Sequence, residues 1–135
     1  MMKMKTIFVT CFVAVWLGLA TGVAQAAPLS DDAKQFLAGY EKVRSALAAD
    51  DLAKARTAAT DLRADGEALA ASNSLKEARV AFEKLSDKAK ELAAEKSGYY
   101  VVHCPMLNKD WIQTSEQIGN PYYGKEMASC GEIKK

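Results

Sequence analysis

The chain has 135 residues, of which 26% are charged and 50% hydrophobic, and its 18 Lys and Arg residues nearly balance 17 Asp and Glu residues. This balance excludes the strongly basic composition typical of proteins that bind nucleic acids or anionic membrane surfaces. The length predicts one domain with a modest hydrophobic core.

The first 26 residues have the layout of a secretory signal peptide. Lys3 and Lys5 form a positively charged start, an apolar run follows from residue 7 to about residue 20, and residues 24–26 (Ala-Gln-Ala) have the pattern of a cleavage site. The apolar run is short for a membrane span. We therefore expect export to the periplasm with cleavage after about Ala26. The alternative is an uncleaved N-terminal anchor.

Cleavage would change the charge and the cysteine count of the protein. It would remove Cys11 and two lysines, and the mature chain of residues 27–135 would carry 16 basic and 17 acidic residues. Cys104 and Cys130 would be the two remaining cysteines, and in an oxidising compartment they can form a disulfide. We expect a single helical domain that binds no nucleic acid and, once the signal is removed, no membrane.

Residues 30–96 have the composition and periodicity of helices. Helix-forming residues dominate this region, and no proline lies between Pro28 and Pro105. Apolar residues recur three and four apart in three stretches, separated by polar breaks at residues 50–51 and 72–74. We predict a mainly all-α fold, a bundle of three longer helices with antiparallel neighbours. The three apolar stripes contain Phe36, Leu37, Tyr40, Val43 and Leu47; Leu52, Ala55, Ala58, Ala59, Leu62 and Leu69; and Leu75, Ala78, Phe82, Leu85, Ala89 and Leu92.

Short polar side chains also mark where helices begin and end. Ser30, followed by two aspartates, and then the Asp50-Asp51 pair place oxygens where the free backbone N–H groups of a helix start need acceptors. Gly66 lies inside the second stretch and indicates the fraying end of that helix.

The composition changes at residues 96–98, where alanine becomes scarce and aromatic residues, cysteine and proline appear. Residues 99–102 are typical of a β-strand. Asn120 followed by Pro121 resembles a helix start, and Gly131 fits the position after a helix end. We therefore predict a compact C-terminal unit with a short strand and a short helix.

Soft sulfur donors are concentrated in this unit, within residues 99–131. Cys104 and Met106 would point to opposite sides of a regular strand, so they can reach one ion only if the intervening proline turns the chain. Met127 and Cys130 are three apart and share one face of the predicted helix. Thiolate and thioether ligands together favour soft ions, above all Cu(I).

We therefore take Cys104, Cys130, Met127, Met106 and His103 as the candidate metal ligands, with Cu(I) or Ag(I) as the expected ion, ranked above Zn(II). The spacing leaves an alternative open, a Cys104–Cys130 disulfide with both methionines in the core and a structural role for the histidine. Both interpretations require the two cysteine sulfurs to lie close together. The mature sequence has no Cys-x-x-Cys pair, and no Ser/His/Asp set or paired carboxylates stand out, so we expect no enzyme.

Four motifs carry a family resemblance: Tyr40 with residues 46–55, the run His-Cys-Pro-Met at residues 103–106, Trp111 with Gln113, and residues 120–131. Through them, residues 33–133 resemble a family of small periplasmic domains of unassigned function. These domains occur as separate secreted proteins and also fused to the C-terminal end of periplasmic adaptor subunits of heavy-metal efflux systems of the resistance-nodulation-division type. The resemblance implies metal handling in association with efflux, and it supplies no established ligand set.

The Cys-Pro-Met sequence of residues 104–106 is also similar to the start of a short heavy-metal-binding motif, Cys-Pro-Met-His-Pro. It departs from that motif at Leu107-Asn108, which replace the histidine and the second proline. Two functions follow from the sequence. One is a periplasmic Cu(I)- or Ag(I)-binding protein of metal homeostasis or efflux. The other is a disulfide-stapled interaction domain that docks on an efflux adaptor or another envelope protein.

Overall fold

The computed structural model describes residues 26–134. The signal peptide predicted over residues 1–26 falls almost wholly outside that part of the chain, so export and cleavage stay predictions. Helices account for 53% of the described residues, followed by a small antiparallel sheet. The predicted mainly helical fold is therefore confirmed. No helix within residues 26–134 is both long and apolar enough to cross a membrane.

Four α-helices form the first part of the fold: α1 (Asp31–Ala48), α2 (Leu52–Thr60), α3 (Glu67–Ala70) and α4 (Leu75–Ala93). The second predicted helix is interrupted, because a 3₁₀ turn (Arg63–Gly66) separates α2 from α3. Gly66 does not mark a fraying end. It is buried, and a Cβ atom there would lie 1.9 Å from the carbonyl oxygen of Ala59. Only glycine lets the chain turn this tightly against α2.

The helix starts are capped by side chains, as the sequence predicts. Ser30 Oγ accepts a hydrogen bond from the N–H of Ala33 at 3.2 Å, and Asp51 Oδ1 accepts from Lys54 at 2.9 Å. Ser74, in the second polar break, caps α4 in the same way. Each cap satisfies one of the free N–H groups of a first turn and so fixes where the helix begins.

The apolar stripes of the helices pack into one core, which we call the bundle core. At its centre Tyr40 of α1 stacks on Phe82 of α4, with ring centroids 5.2 Å apart. The buried residues of this core are Phe36, Leu37, Tyr40, Val43, Ala46, Leu47, Ala55, Ala59, Leu62, Leu69, Ala78, Phe82, Leu85, Ala89, Ala93 and Ile112.

The C-terminal unit contains three strands, β1 (Tyr100–Cys104), β2 (Lys109–Gln113) and β3 (Glu132–Ile133). β1 lies in the centre and is antiparallel to both neighbours, with Val102 opposite Trp111 on β2 and Ile133 on β3. The one strand that the sequence predicts is β1. The hairpin to β2 turns through Asn108, whose left-handed backbone (φ 50°) asparagine adopts readily.

The short helix predicted after Asn120 is wrong in type. Asn120 Oδ1 does accept from the N–H groups of Tyr122 and Tyr123, at 2.9 and 3.2 Å, as a cap would. The chain then forms a turn and a 3₁₀ helix (Gly124–Met127). Gly124 has a left-handed φ of 62°, which an α-helix cannot continue through.

Side chains of α1 and α4 hold the C-terminal unit against the bundle through its backbone. The Tyr40 hydroxyl bonds both the N–H and the carbonyl of Ile112, at 3.2 and 3.1 Å. Arg44 donates to the carbonyl of Gly119 at 2.8 Å, and Arg79 donates to the carbonyl of Pro121 at 2.9 Å. These bonds place the loop before the 3₁₀ helix at a fixed position over the helices.

Candidate functional site

Cys104 ends β1 and points into a second, smaller apolar cluster. Its side chain is 0% exposed and packs with Val102 and Trp111, which are buried to the same extent. Cys104 and Val102 share one face of β1 because side chains two apart on a strand point the same way. The site is therefore built on regular structure on one side.

Cys130 brings the second sulfur to this cluster from the last loop of the chain. Both cysteines are free in the structure, and their Sγ atoms lie 3.0 Å apart. A disulfide bond would need about 2.05 Å, so the contact is a thiol–thiol hydrogen bond. The proximity that both sequence interpretations require is confirmed.

The sulfur of Cys104 is surrounded by hydrogen-bond donors. Burial raises the pKa of the Cys104 thiol, but hydrogen bonds from Cys130, from the backbone N–H groups of Leu107 and Met106 and from the Asn120 side chain together lower it below the ordinary value. Met106 and Leu107 lie in the turn of residues 105–108, directly after Cys104. This turn therefore stabilises a thiolate at Cys104.

Cys130 has the opposite role in the pair. Its hydrogen bond to Cys104, together with burial and the charge of the neighbouring sulfur, raises the pKa of the Cys130 thiol. Cys130 is only partly buried, whereas Cys104 is fully enclosed. The pair thus consists of an enclosed thiol with a lowered pKa and a more exposed thiol with a raised pKa.

Asn120 connects the two halves of the site, a role that the sequence does not predict beyond helix capping. Its Nδ2 donates to the carbonyl of Cys130 at 3.0 Å, and its backbone N–H donates to the carbonyl of Ala128 at 2.8 Å. The side chain is fully buried. A buried amide must be hydrogen-bonded, and these contacts satisfy that requirement.

Gly131 is required for space at the site. Its φ is 155°, so it does not adopt the left-handed helical conformation that the sequence predicts for a residue after a helix. A Cβ atom here would lie 2.7 Å from Val102 Cγ1 and 3.0 Å from Trp111 Cη2. Glycine therefore lets the chain pass close over the cluster and deliver Cys130 to Cys104.

The two methionines of the candidate site lie in different environments. Met127 is partly buried, and its carbonyl accepts the N–H of Cys130 at 3.0 Å, so both residues belong to one tight turn. Met106 is 71% exposed. Neither is packed in the bundle core, contrary to the disulfide alternative drawn from the sequence.

The structure does not bring His103 to the sulfurs. It alternates with Cys104 along β1 and so lies on the other face of the strand. There its Nδ1 lies 2.5 Å from Asp110 Oδ1, and Lys134 contacts the second oxygen of Asp110 at 2.6 Å. Burial raises the pKa of Asp110, but the hydrogen bonds from Lys134 and His103 outweigh it and lower the pKa overall.

Within residues 26–134, no three or more His, Cys, Asp or Glu side chains are grouped to hold a metal ion. A metal site here would consist of the two cysteines and neutral thioether sulfur. No family model, curated protein or solved structure matches the chain.

Proposed function

We propose that the reduced protein binds one soft monovalent ion, Cu(I) or Ag(I), through Cys104 and Cys130, and acts in periplasmic metal homeostasis or efflux. The observation that carries the proposal is the contact of the two sulfurs, 3.0 Å apart, with hydrogen-bond donors around Cys104. The thiolate is the form of cysteine that binds metal ions, and this environment favours it.

Binding needs a small movement of one sulfur. Two sulfurs at about 2.3 Å from a shared ion lie about 3.8 Å apart in tetrahedral geometry and about 4.6 Å apart in linear geometry. The observed Sγ–Sγ distance of 3.0 Å must therefore widen by about 0.8 to 1.6 Å. Cys104 is held in β1, whereas Cys130 follows a 3₁₀ helix and is partly exposed. Cys130 is the sulfur that moves.

Met127 is the third donor that we assign to the ion. It lies in the turn that ends at Cys130, and a thioether suits Cu(I) and Ag(I) without adding charge. Zn(II) ranks below them, because structural zinc sites take four ligands from thiolates, imidazoles and carboxylates. His103 has no part in this proposal, since it lies on the other face of β1.

The resemblance of residues 33–133 to periplasmic domains found with heavy-metal efflux adaptors supports this function. It names a class of partner, a periplasmic efflux adaptor. A protein that carries a soft ion to or from such an adaptor needs ligands that can exchange. A buried thiol paired with a partly exposed thiol and a thioether, all held on a rigid bundle, fits that task.

The disulfide-stapled interaction domain remains the second candidate, and one observation favours it. Sulfurs 3.0 Å apart need only a small approach to form a bond, with loss of two electrons to an oxidant. The bond would link residues 26 positions apart and would stabilise the fold by about 3 to 4 kcal/mol in the chain-entropy model. In this case the oxidised protein would dock on the adaptor or on another envelope protein.

An anaerobic competition experiment separates the two candidates. The reduced protein without residues 1–26 is titrated with Cu(I), Ag(I) and Zn(II) against a chromogenic chelator. We expect one equivalent of Cu(I) or Ag(I) to be retained, and binding to weaken as the pH falls because both thiols must lose their protons. The double variant Cys104→Ser/Cys130→Ser should retain none. Equally poor competition by the wild type and the double variant would rule out the metal site.

Two further variants resolve the ligand set. Met127→Leu keeps the volume and removes the sulfur, so we expect a smaller loss of affinity than for either Cys→Ser variant. His103→Gln is the matched control on the opposite face of β1, and it should bind as the wild type does. A large loss of affinity in His103→Gln would contradict the assigned site.

A further inference from the structure

Met106 is the most exposed large apolar residue among those that the structure describes. Its side chain is 71% exposed, above the 67% of Val80, the next in order. Met106 nevertheless lies two residues from the buried Cys104, in the turn of residues 105–108 that follows β1. The turn after Pro105 thus fixes the main chain of Met106 at the site while its thioether extends into solvent.

The two thiols are poorly placed to meet an ion that arrives from outside. Cys104 is 0% exposed and lies under Trp111 and Val102. Cys130 is only partly exposed, and its sulfur lies against that of Cys104 at 3.0 Å. A thioether in solvent is open to a soft ion.

We propose that Met106 is the capture ligand, the residue that first takes the ion from its donor and passes it to Cys104 and Cys130. This inference rests on the proposed function and adds the route by which the site is loaded. It assigns a different role to each of the two methionines, Met106 and Met127. Met127, inside the turn with Cys130, stays on the bound ion, whereas Met106 binds it only in transit.

The transfer is a ligand exchange in which the oxidation state of the ion does not change. The bond from Met106 sulfur to the ion forms as a bond from the donor to the ion breaks. The bonds from Cys104 and Cys130 then form as their two thiol protons pass to water, and the Met106 bond breaks last. Position favours this order, since Met106 is two residues from Cys104, in the turn of residues 105–108.

The test compares rates with affinities. Anaerobic protein without residues 1–26 is mixed in a stopped-flow instrument with Cu(I) supplied as its bicinchoninate complex, and the loss of chelator colour gives the loading rate. We expect Met106→Leu to slow loading several-fold and to leave the equilibrium affinity unchanged. Because the equilibrium is unchanged, removal of the ion by excess chelator should slow by the same factor.

Val80→Ala is the matched control, since it also changes an exposed apolar side chain and removes no sulfur. It should load as the wild type does. Unchanged loading of Met106→Leu would overturn the capture role. A loss of equilibrium affinity as large as that of Met127→Leu would also overturn it and would make Met106 a resident ligand. Failure of the wild type to take Cu(I) at equilibrium would instead refute the proposed function itself.

Discussion

The helical bundle and the C-terminal unit are held together by different forces. The bundle buries three continuous apolar stripes around Tyr40 and Phe82. The apolar cluster of the C-terminal unit has three buried members, Val102, Cys104 and Trp111, while Ile112 of the same unit packs in the bundle core. Hydrogen bonds from helix side chains to its backbone supply much of the rest. The unit that carries the candidate site therefore depends on the bundle for its geometry.

Tyr122 joins the two regions. Its ring lies edge-on to Phe82 of the bundle, with centroids 5.5 Å apart, and edge-on to Trp111 of the small cluster, at 6.2 Å. Burial raises the pKa of Tyr122 to about 12. The aromatic contacts make the two cores one continuous structure, so damage to the bundle should reach the site.

The largest effect should come from the bundle core. Phe82→Ala removes a fully buried ring, and we expect it to lower the free energy of unfolding by about 3 to 5 kcal/mol in urea titrations. Both regions should still unfold in one transition, because the C-terminal unit depends on the weakened bundle for its geometry. Val80→Ala, on the exposed side of the same helix, should change little. Separate unfolding transitions of the bundle and the sheet would contradict the conclusion that the two regions form one continuous structure.

The next effect concerns the polar connections. Arg79 donates to the carbonyls of Pro121 and Leu47 and pairs with Asp50 at 2.6 Å. Arg79→Met should destabilise the protein by about 1 to 3 kcal/mol, because partly buried acceptors lose their donor. It should also weaken Cu(I) binding, since the loop before the 3₁₀ helix is no longer held.

Lys88→Met is the control for this arginine. Lys88 pairs with Asp65 at 2.6 Å, but the two side chains are 44% and 43% exposed. Such surface pairs contribute less than about 1 kcal/mol. Equal losses of unfolding free energy in the two variants would show that the arginine does not anchor the C-terminal unit.

Two glycines with positive φ, Gly98 and Gly124, allow the cost of backbone strain to be measured apart from the cost of crowding. Gly98→Ala has open space around the new methyl group, so it should cost only the strain of a φ of 87°, about 1 to 2 kcal/mol. In Gly124→Ala the methyl group would also lie 1.9 Å from Asp50 Oδ1. We expect the second loss of unfolding free energy to exceed the first, and Cu(I) affinity to fall only in Gly124→Ala.

The smallest effect that we expect is on how the free energy of unfolding depends on pH in the acid range. Hydrogen bonds from the backbone of Lys125 and from Arg79 lower the pKa of Asp50 below its ordinary value of 3.8. Its folded pKa thus lies below its unfolded pKa, so its contribution is complete above about pH 4 and is lost as the pH falls through the folded value. Asp50→Asn tolerates the left-handed backbone there and should flatten the loss of unfolding free energy in acid. Identical acid profiles would contradict this.

Periodicity explains which parts of the fold the sequence predicts. The stripes of α1 and α4 repeat at helical spacing over many residues, and the caps at Ser30 and Asp51 form as predicted. The sequence does not predict β2, because three consecutive residues of this strand, Trp111 to Gln113, are buried and do not alternate with exposed residues. Asn108 offered the signal for the hairpin, since asparagine favours the left-handed turn between two strands.

The sequence predicts the two cysteines of the candidate site but not the helix side chains that hold the surrounding loop. Cys104 and Cys130 could be paired from composition, because they are the two cysteines of residues 27–135. Arg44 and Arg79 resemble solvent-facing charges within their helices, and only the fold shows that they bond Gly119 and Pro121. Contacts between a side chain and a distant carbonyl leave no trace in local sequence spacing.

The contact between Cys104 and Cys130 also sets an order of assembly. The chain between the two cysteines contains β2, the Asn120 turn and the 3₁₀ helix. The two sulfurs therefore meet only after these elements have folded and the last loop has closed over Gly131. Ion binding would then report that the C-terminal unit is folded.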